Sequence, residues 1–281
     1  MPAKRFFALT MACGFFATAP VTFGQPVKLP MTGSTIIEWD SVPVTTNEHG
    51  FVRTFFSAPT AGLSNLECHV TTLNPGLASH PPHHHPQEEV IIVQQGNVAA
   101  LINGEWKRVG PGSVIFNACN VTHDFRNVGD RPAVYHVFSW RSSLTPARAD
   151  HTDTVEDSKV IPFKAGVMGP MAIEWNSVPV ATNAAGSVRE FFKSPTATAQ
   201  LLELHATKLN PGASRHPPEP SPQEEVIVVE EGNVEALVNG GWKHVDVGSV
   251  IFNARNAVQG IRNVGSTPAT YFVLEWRSHP A

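Results

Sequence analysis

The stretch His80–Gly96, HPPHHHPQEEVIIVQQG, returns later in the chain as His216–Gly232, HPPEPSPQEEVIVVEEG. Its prolines, its Gln-Glu-Glu and its apolar run are kept, and its central histidines are not. Working outward, IEWDSVPVTTNEHGFVRTFF matches IEWNSVPVATNAAGSVREFF, and GNVAALINGEWKRVGPGSVIFNA matches GNVEALVNGGWKHVDVGSVIFNA. One offset of about 136 residues aligns Glu38–Ser142 with Glu174–Ser278 without a gap, at about 60 identities in roughly 105 positions. That period is too long for a solenoid unit and has the size of a domain. Within each copy, short runs rich in β-branched and aromatic residues alternate with Gly, Pro and Asn turns every eight to twelve residues or so. Gln-Gly-Asn divides VIIV from VAALI as a hairpin. No long amphipathic helix breaks the series, so each copy reads as all-β, a sandwich or a barrel.

The sequence divides into a leader over 1–24, a first domain over 34–143, a polar connector over 144–169 and a second domain over 170–279. In the leader, Lys4 and Arg5 precede an apolar run from Phe6 to Ala17. Thr22 and Gly24 are small residues before a cut at Gln25, the order of a secretory signal peptide. The mature chain is therefore expected in the periplasm or outside the cell. No later run is long and apolar enough for a membrane helix. A net charge of −4 leaves no footprint for nucleic acid. Cys68 and Cys119 become Leu204 and Arg255 in the second copy, so the fold needs neither, and they are read as free thiols. A small-molecule substrate is the expected partner, and pairing into a homodimer is open.

Chemistry concentrates in the first copy. His83, His85 and Glu89 share a parity, and on extended chain such residues lie on one face. His123 follows after the hairpin returns. Three imidazoles and a carboxylate suit one divalent transition metal (Fe, Mn, Ni, Cu, Co or Zn) and leave positions open for water or substrate. The remaining histidines sort by the repeat. His69 and His80 recur as His205 and His216 and are read as structural. His84 has the other parity and is read as outward-facing or packed behind the ligands. His136 becomes Phe272; it is either a core histidine or a cavity-lining proton shuttle, and it joins Glu89 as a candidate catalytic residue. Glu88, opposite in parity to Glu89, is read as solvated or structural.

HHHPQEEVIIVQQG followed by PGSVIFNACNVTHDFRN resembles the two motifs of the cupin superfamily. The first, H-x-H-x3-E-x6-G, fits His83, His85, Glu89 and Gly96; the second ends in H-x3-N and fits His123 and Asn127. The resemblance spans both copies. It implies two tandem jelly-roll β-barrels with a metal inside the first, held by His83, His85, Glu89 and His123. It leaves the reaction open, because cupins include dioxygenases, decarboxylases, isomerases, lyases and binding proteins. Two departures, a longer spacing from Gly76 to His83 and Ala118 in place of a proline, touch no ligand.

Across the offset His83 becomes Glu219, His85 becomes Ser221 and His123 becomes Gln259, while Glu89 survives as Glu225. The expectation is one metal-loaded copy and one scaffold copy. A metal-dependent exported enzyme follows, with a dioxygenase leading. Metal-assisted lyase, decarboxylase or isomerase chemistry, or binding of a sugar, carboxylate or metal without turnover, stand as alternatives.

Overall fold

Alternation along Glu88–Gln95 sends Val90 and Ile92 to one face and Glu89, Ile91 and Val93 to the other. Both faces are apolar enough to be covered, and both are. In the computed structural model, which describes residues 31, 33–150, 153–155 and 166–279, these strands build a predominantly β fold. The expected signal segment and the centre of the connector lie outside the described residues.

The first copy contributes most of a seven-stranded antiparallel sheet. From edge to edge it runs Met171–Ile173, Val114–Asn117, Glu88–Gln95, Ala133–Arg141, Asn65–Leu73, Gly50–Ala58 and Val44–Asn47. The second copy repeats this order with Thr35–Ile37 at the corresponding edge. Each copy therefore lends its first strand to the other's sheet: Ile36 registers with Ile251, and Ala172 with Ile115. The unit of duplication and the unit of hydrogen bonding differ by this one strand. A three-stranded sheet flanks each large one, with Val98–Ile102 between Glu105–Val109 and Phe125–Asn127 in the first copy. Among the described residues no sheet closes on itself.

Among the described residues, three apolar cores follow from the alternation. The largest lies between the two seven-stranded sheets, where Leu66, Phe116, Phe138 and Trp140 meet Leu202, Phe252, Leu274 and Trp276. Two smaller cores fill the gap between each large sheet and its three-stranded neighbour. The exchanged strands are locked by matched contacts. Ser249 Oγ donates to Glu38 and accepts from Trp39 N, while Ser113 does the same for Glu174 and Trp175. Each tryptophan lies on a glycine of the other copy. A Cβ on Gly248 would sit 2.6 Å from the Trp39 ring and one on Gly112 2.7 Å from Trp175, and both glycines have φ above +70°.

Of its two readings, His136 takes that of a core histidine, and the cavity-lining shuttle is corrected. It registers with Ile92 and shares the parity of Phe138 and Trp140, so it faces the central core and not the pocket. Its ring lies against Trp39, Phe55 and Phe138, and Nε2 is 3.3 Å from the Gly248 carbonyl. Burial lowers its pKa to about 4. Its Nδ1 is 4.0 Å from Glu230 of the second copy, too far for a hydrogen bond. Burial pushes Glu230 up to about 8 from the 4.5 of an ordinary glutamate. The folded state thus binds a proton that the unfolded chain releases, and Glu230 costs stability progressively as pH rises from about 4.5 to about 8. Glu230→Gln installs the residue the first copy has at Gln94. It should stabilise the protein at pH 8 by about 1–3 kcal/mol and hardly at all at pH 4.5. Melting curves at both pH values check this; equal gains at both would show that ionisation of Glu230 is not the cause.

Candidate metal centre

The prolines of His80–Gln87 keep that segment extended and non-helical. It crosses the mouth of the first copy's pocket and pairs with the chain around His123. His83 N donates to His123 O at 3.0 Å, and His123 N to His83 O at 2.9 Å. This isolated bridge brings two histidines, forty residues apart in sequence, to a ring separation of 4.5 Å. His85 is on the same face, 4.8 Å from the His123 ring. The nitrogens of His83, His85 and His123 lie within 4.8 Å of one another, and among the described residues no matching cluster forms in the second copy.

The outer nitrogens fix which atoms point inward. His85 Nδ1 sits 3.1 Å from Gln87 O, and His123 Nδ1 2.8 Å from Val121 O. Each carbonyl accepts an N–H, which leaves both Nε2 atoms as bare lone pairs facing the centre. His123 Nε2 is buried with no protein partner, as is His83 Nδ1. Glu89 occupies the adjacent strand. Its two oxygens are 3.8 Å from His85 Nε2 and 3.9 Å from His123 Nε2, and Asn117 Nδ2 donates to it at 2.9 Å. Those gaps are too wide for good hydrogen bonds and wide enough for an ion between the groups. A partly buried set of imidazoles whose inward nitrogens lack hydrogen-bond partners, beside a carboxylate, fits a divalent transition metal.

Electrostatics favour neutral imidazoles at His83 and His123 and an ionised carboxylate at Glu89. Burial, and then the neighbouring His123 and His80, hold His83 down at about 3. Burial likewise lowers His123. Burial works against the charge on Glu89, but the close approach of His85 and the field of His123 outweigh it and lower its pKa. Glu89 in turn raises His85 against the opposing effect of burial.

The pocket above this cluster is a cavity of about 500 Å³. Two residues that the repeat comparison sets aside prove to line it: His80, its ring 3.9 Å from that of His83, and His69. His69 Nδ1 is 3.3 Å from Glu67, whose pKa is lowered chiefly by that bond. The parity of Glu67, His69 and Thr71 on their strand was the available signal. His84 turns the other way and is buried, with Nδ1 2.5 Å from Asp153 and Nε2 2.9 Å from Ala149 O, which ties the start of the connector to the first copy. Glu88 is fully buried, not solvated. Cys68 and Cys119 are free thiols, and burial raises both, Cys119 to about 12.

The Cupin domain family matches residues 69–139 and again residues 206–275. No curated protein matches the chain significantly by sequence. Solved structures match over nearly the whole chain. Ylba from E. coli superposes with a TM-score of 0.66 at 13% identity, covering 92% of this chain and 96% of its own. A putative glyoxylate-induced protein from Pseudomonas aeruginosa gives 0.65 at 16%, covering 92% and 95%. Lactobacillus farciminis oxalate decarboxylase, in a formate complex, gives 0.64 at 14%, covering 91% and 89%. At these identities the likeness speaks for the fold. Two family matches in register with the duplication, one of them enclosing the histidine cluster, make this chain a two-domain member of the cupin family.

Proposed function

We propose that the first copy is a metal-dependent active site for a small carboxylate-bearing substrate, working by decarboxylase or lyase chemistry. The observation that carries this reading is the meeting, in one pocket, of the three-histidine cluster with the Glu67–His69 pair. The metal, when bound, would polarise the substrate as a Lewis acid. His83, His85 and His123, with Glu89 as fourth ligand, would hold it. Asn117 keeps Glu89 oriented. With Nδ1 donating to the Glu67 carboxylate, His69 presents Nε2 as the atom that takes or returns a proton. Among the described residues no lysine or arginine lines the pocket, so the contacts these offer an anion would be N–H and O–H donors such as Ser79 and Tyr135.

Support for this class over the dioxygenase favoured by the sequence comes from the solved relatives. Besides the L. farciminis enzyme, Bacillus subtilis oxalate decarboxylase, described with Mn(II) centres, superposes with a TM-score of 0.62 at 14% identity, covering 93% of this chain and 81% of its own. Each large sheet with its three-stranded neighbour is read as an open jelly-roll barrel, and residues 1–24 as an export signal. The test is turnover by the metal-loaded protein on oxalate, malonate and other short acids, following carbon dioxide and oxygen together. Carbon dioxide release without stoichiometric oxygen uptake is expected, falling about 100-fold or more in His69→Asn with metal content unchanged. Oxygen uptake in step with turnover would replace this reading by the dioxygenase.

A further inference from the structure

The second copy did not merely lose imidazoles. Its pocket persists as a cavity of about 350 Å³. The backbone bridge that joins His83 to His123 persists too, as the pairing of Glu219 with Gln259. Around that frame the side chains changed character. Where the first copy has Ser57, Ser79 and Ser139, the second has Lys193, Arg215 and Glu275, all lining the cavity.

Glu275 decides the chemistry. It registers with Glu203 on one neighbouring strand and Glu225 on the other, so three carboxylates stand in a row across the pocket wall. In the first copy the middle position of that row is Ser139, between Glu67 and Glu89. Like charges directly opposed across strands are unfavourable. Glu203 is balanced: Lys193 Nζ reaches it at 2.5 Å and His205 Nδ1 at 3.4 Å. Glu225 is buried and accepts the neutral Asn253 Nδ2 at 2.9 Å, and no lysine or arginine pairs with it among the described residues. Burial and then the charges of Glu225 and Glu203 push Glu275 up to about 7. A second, independent observation points the same way. Gln259 is 8% exposed and Asn253 3%, and in each the side-chain oxygen is buried with no partner. Both residues line this cavity beside Glu225 and Glu275, so these carboxylates share it with two amide oxygens that have no donor from the protein.

We infer that the second pocket binds a small organic amine, its protonated head directed at Glu225, Glu275, Asn253 and Gln259. An ammonium supplies three N–H donors and the missing positive charge. The cavity is far larger than a bare ion requires, which favours an organic body behind that head. Arg215 stands at the rim with Nη1 bonded to His205 Nε2, and with Lys193 it disfavours polycations and suits a ligand with a carboxylate or hydroxyl tail.

Calorimetric titration of the chelator-stripped full chain at pH 8 tests this, with ethanolamine and β-alanine as probes and acetate, glycerol, Mg²⁺ and Ca²⁺ as controls. One equivalent of either amine should bind, undiminished in His123→Ala, which disables the first pocket only. Glu275→Ser should weaken it at least tenfold. That variant restores the residue of the first copy, and Gln259→Leu provides a second variant should it fold poorly. The inference is overturned if neither amine binds, if both variants bind like the parent, or if acetate, glycerol or a divalent ion binds as tightly as the amines.

Discussion

His123→Ala should cost the protein at least about 100-fold in affinity for a divalent transition metal, because changes even to groups behind a metal ligand cost roughly 10–100-fold. The side chain removed is the best-prepared of the three. Its ring is buried, its Nδ1 is anchored on Val121 O at 2.8 Å, and its Nε2 has no protein partner. Alanine retains the backbone bridge to His83, which uses only main-chain atoms, so the pocket should keep its shape. What remains, His83 and His85 beside Glu89, is a poorer set. Metal content after dialysis, followed by competition with a chromophoric chelator, measures the effect. His80→Ala is the matched control: its ring touches that of His83, but it is exposed at the mouth, and a loss under tenfold is expected. Equal metal affinity in His123→Ala and the parent would remove His123 from the site.

Glu88→Ala should destabilise the fold by about 3–5 kcal/mol. This carboxylate is fully buried and belongs to the joint between the copies. It accepts from Thr196 Oγ1 at 2.6 Å, from Ala197 N at 3.0 Å and from Thr198 Oγ1. Thr198 Oγ1 in turn accepts from Trp140 Nε1 at 2.9 Å. Glu224 performs the same task in reverse, accepting from Thr60 Oγ1, Ala61 N and Gly62 N at 2.9, 2.9 and 3.0 Å and from Trp276 Nε1 at 3.2 Å. Burial raises the pKa of Glu88, and the hydroxyl and amide donors work against that rise. Truncation leaves these donors buried and unpaired over a cavity, the costliest kind of side-chain loss. At about 2–4 °C per kcal/mol for a chain of this size, melting should drop by roughly 6–20 °C. Because both clamps cross one interface, Glu88→Ala with Glu224→Ala should depart from additivity. A single mutant within about 1 kcal/mol of the parent would show that the clamp contributes little.

Much of this was legible in the sequence. The duplication, the all-β class and the three histidines were readable because they depend on local patterns: a period, an alternation, a parity. Comparing the copies separated residues held for the frame from residues held for chemistry, and His83, His85 and His123 do converge. The same comparison said less about shared residues. His69 is shared by both copies and also lines the pocket, and Glu88, read as solvated or structural, is structural because it clamps the opposite copy, which no pattern within one copy reveals.

The sequence by itself determined which side chains alternate, and so that each large sheet has two faces. It did not say what covers each face. That depends on contacts between residues far apart in the chain, whose free energy comes from burying both partners together. Only the tertiary structure decided that the even-numbered face of Ala133–Arg141 packs on the other copy, which takes His136 from the pocket into the central core. It alone exchanged the first strands, since pairing Ile36 with Ile251 buries an edge that neither copy can cover from within. It also set Glu275 between Glu203 and Glu225, turning three separate glutamates of the sequence into one row of charge facing a cavity.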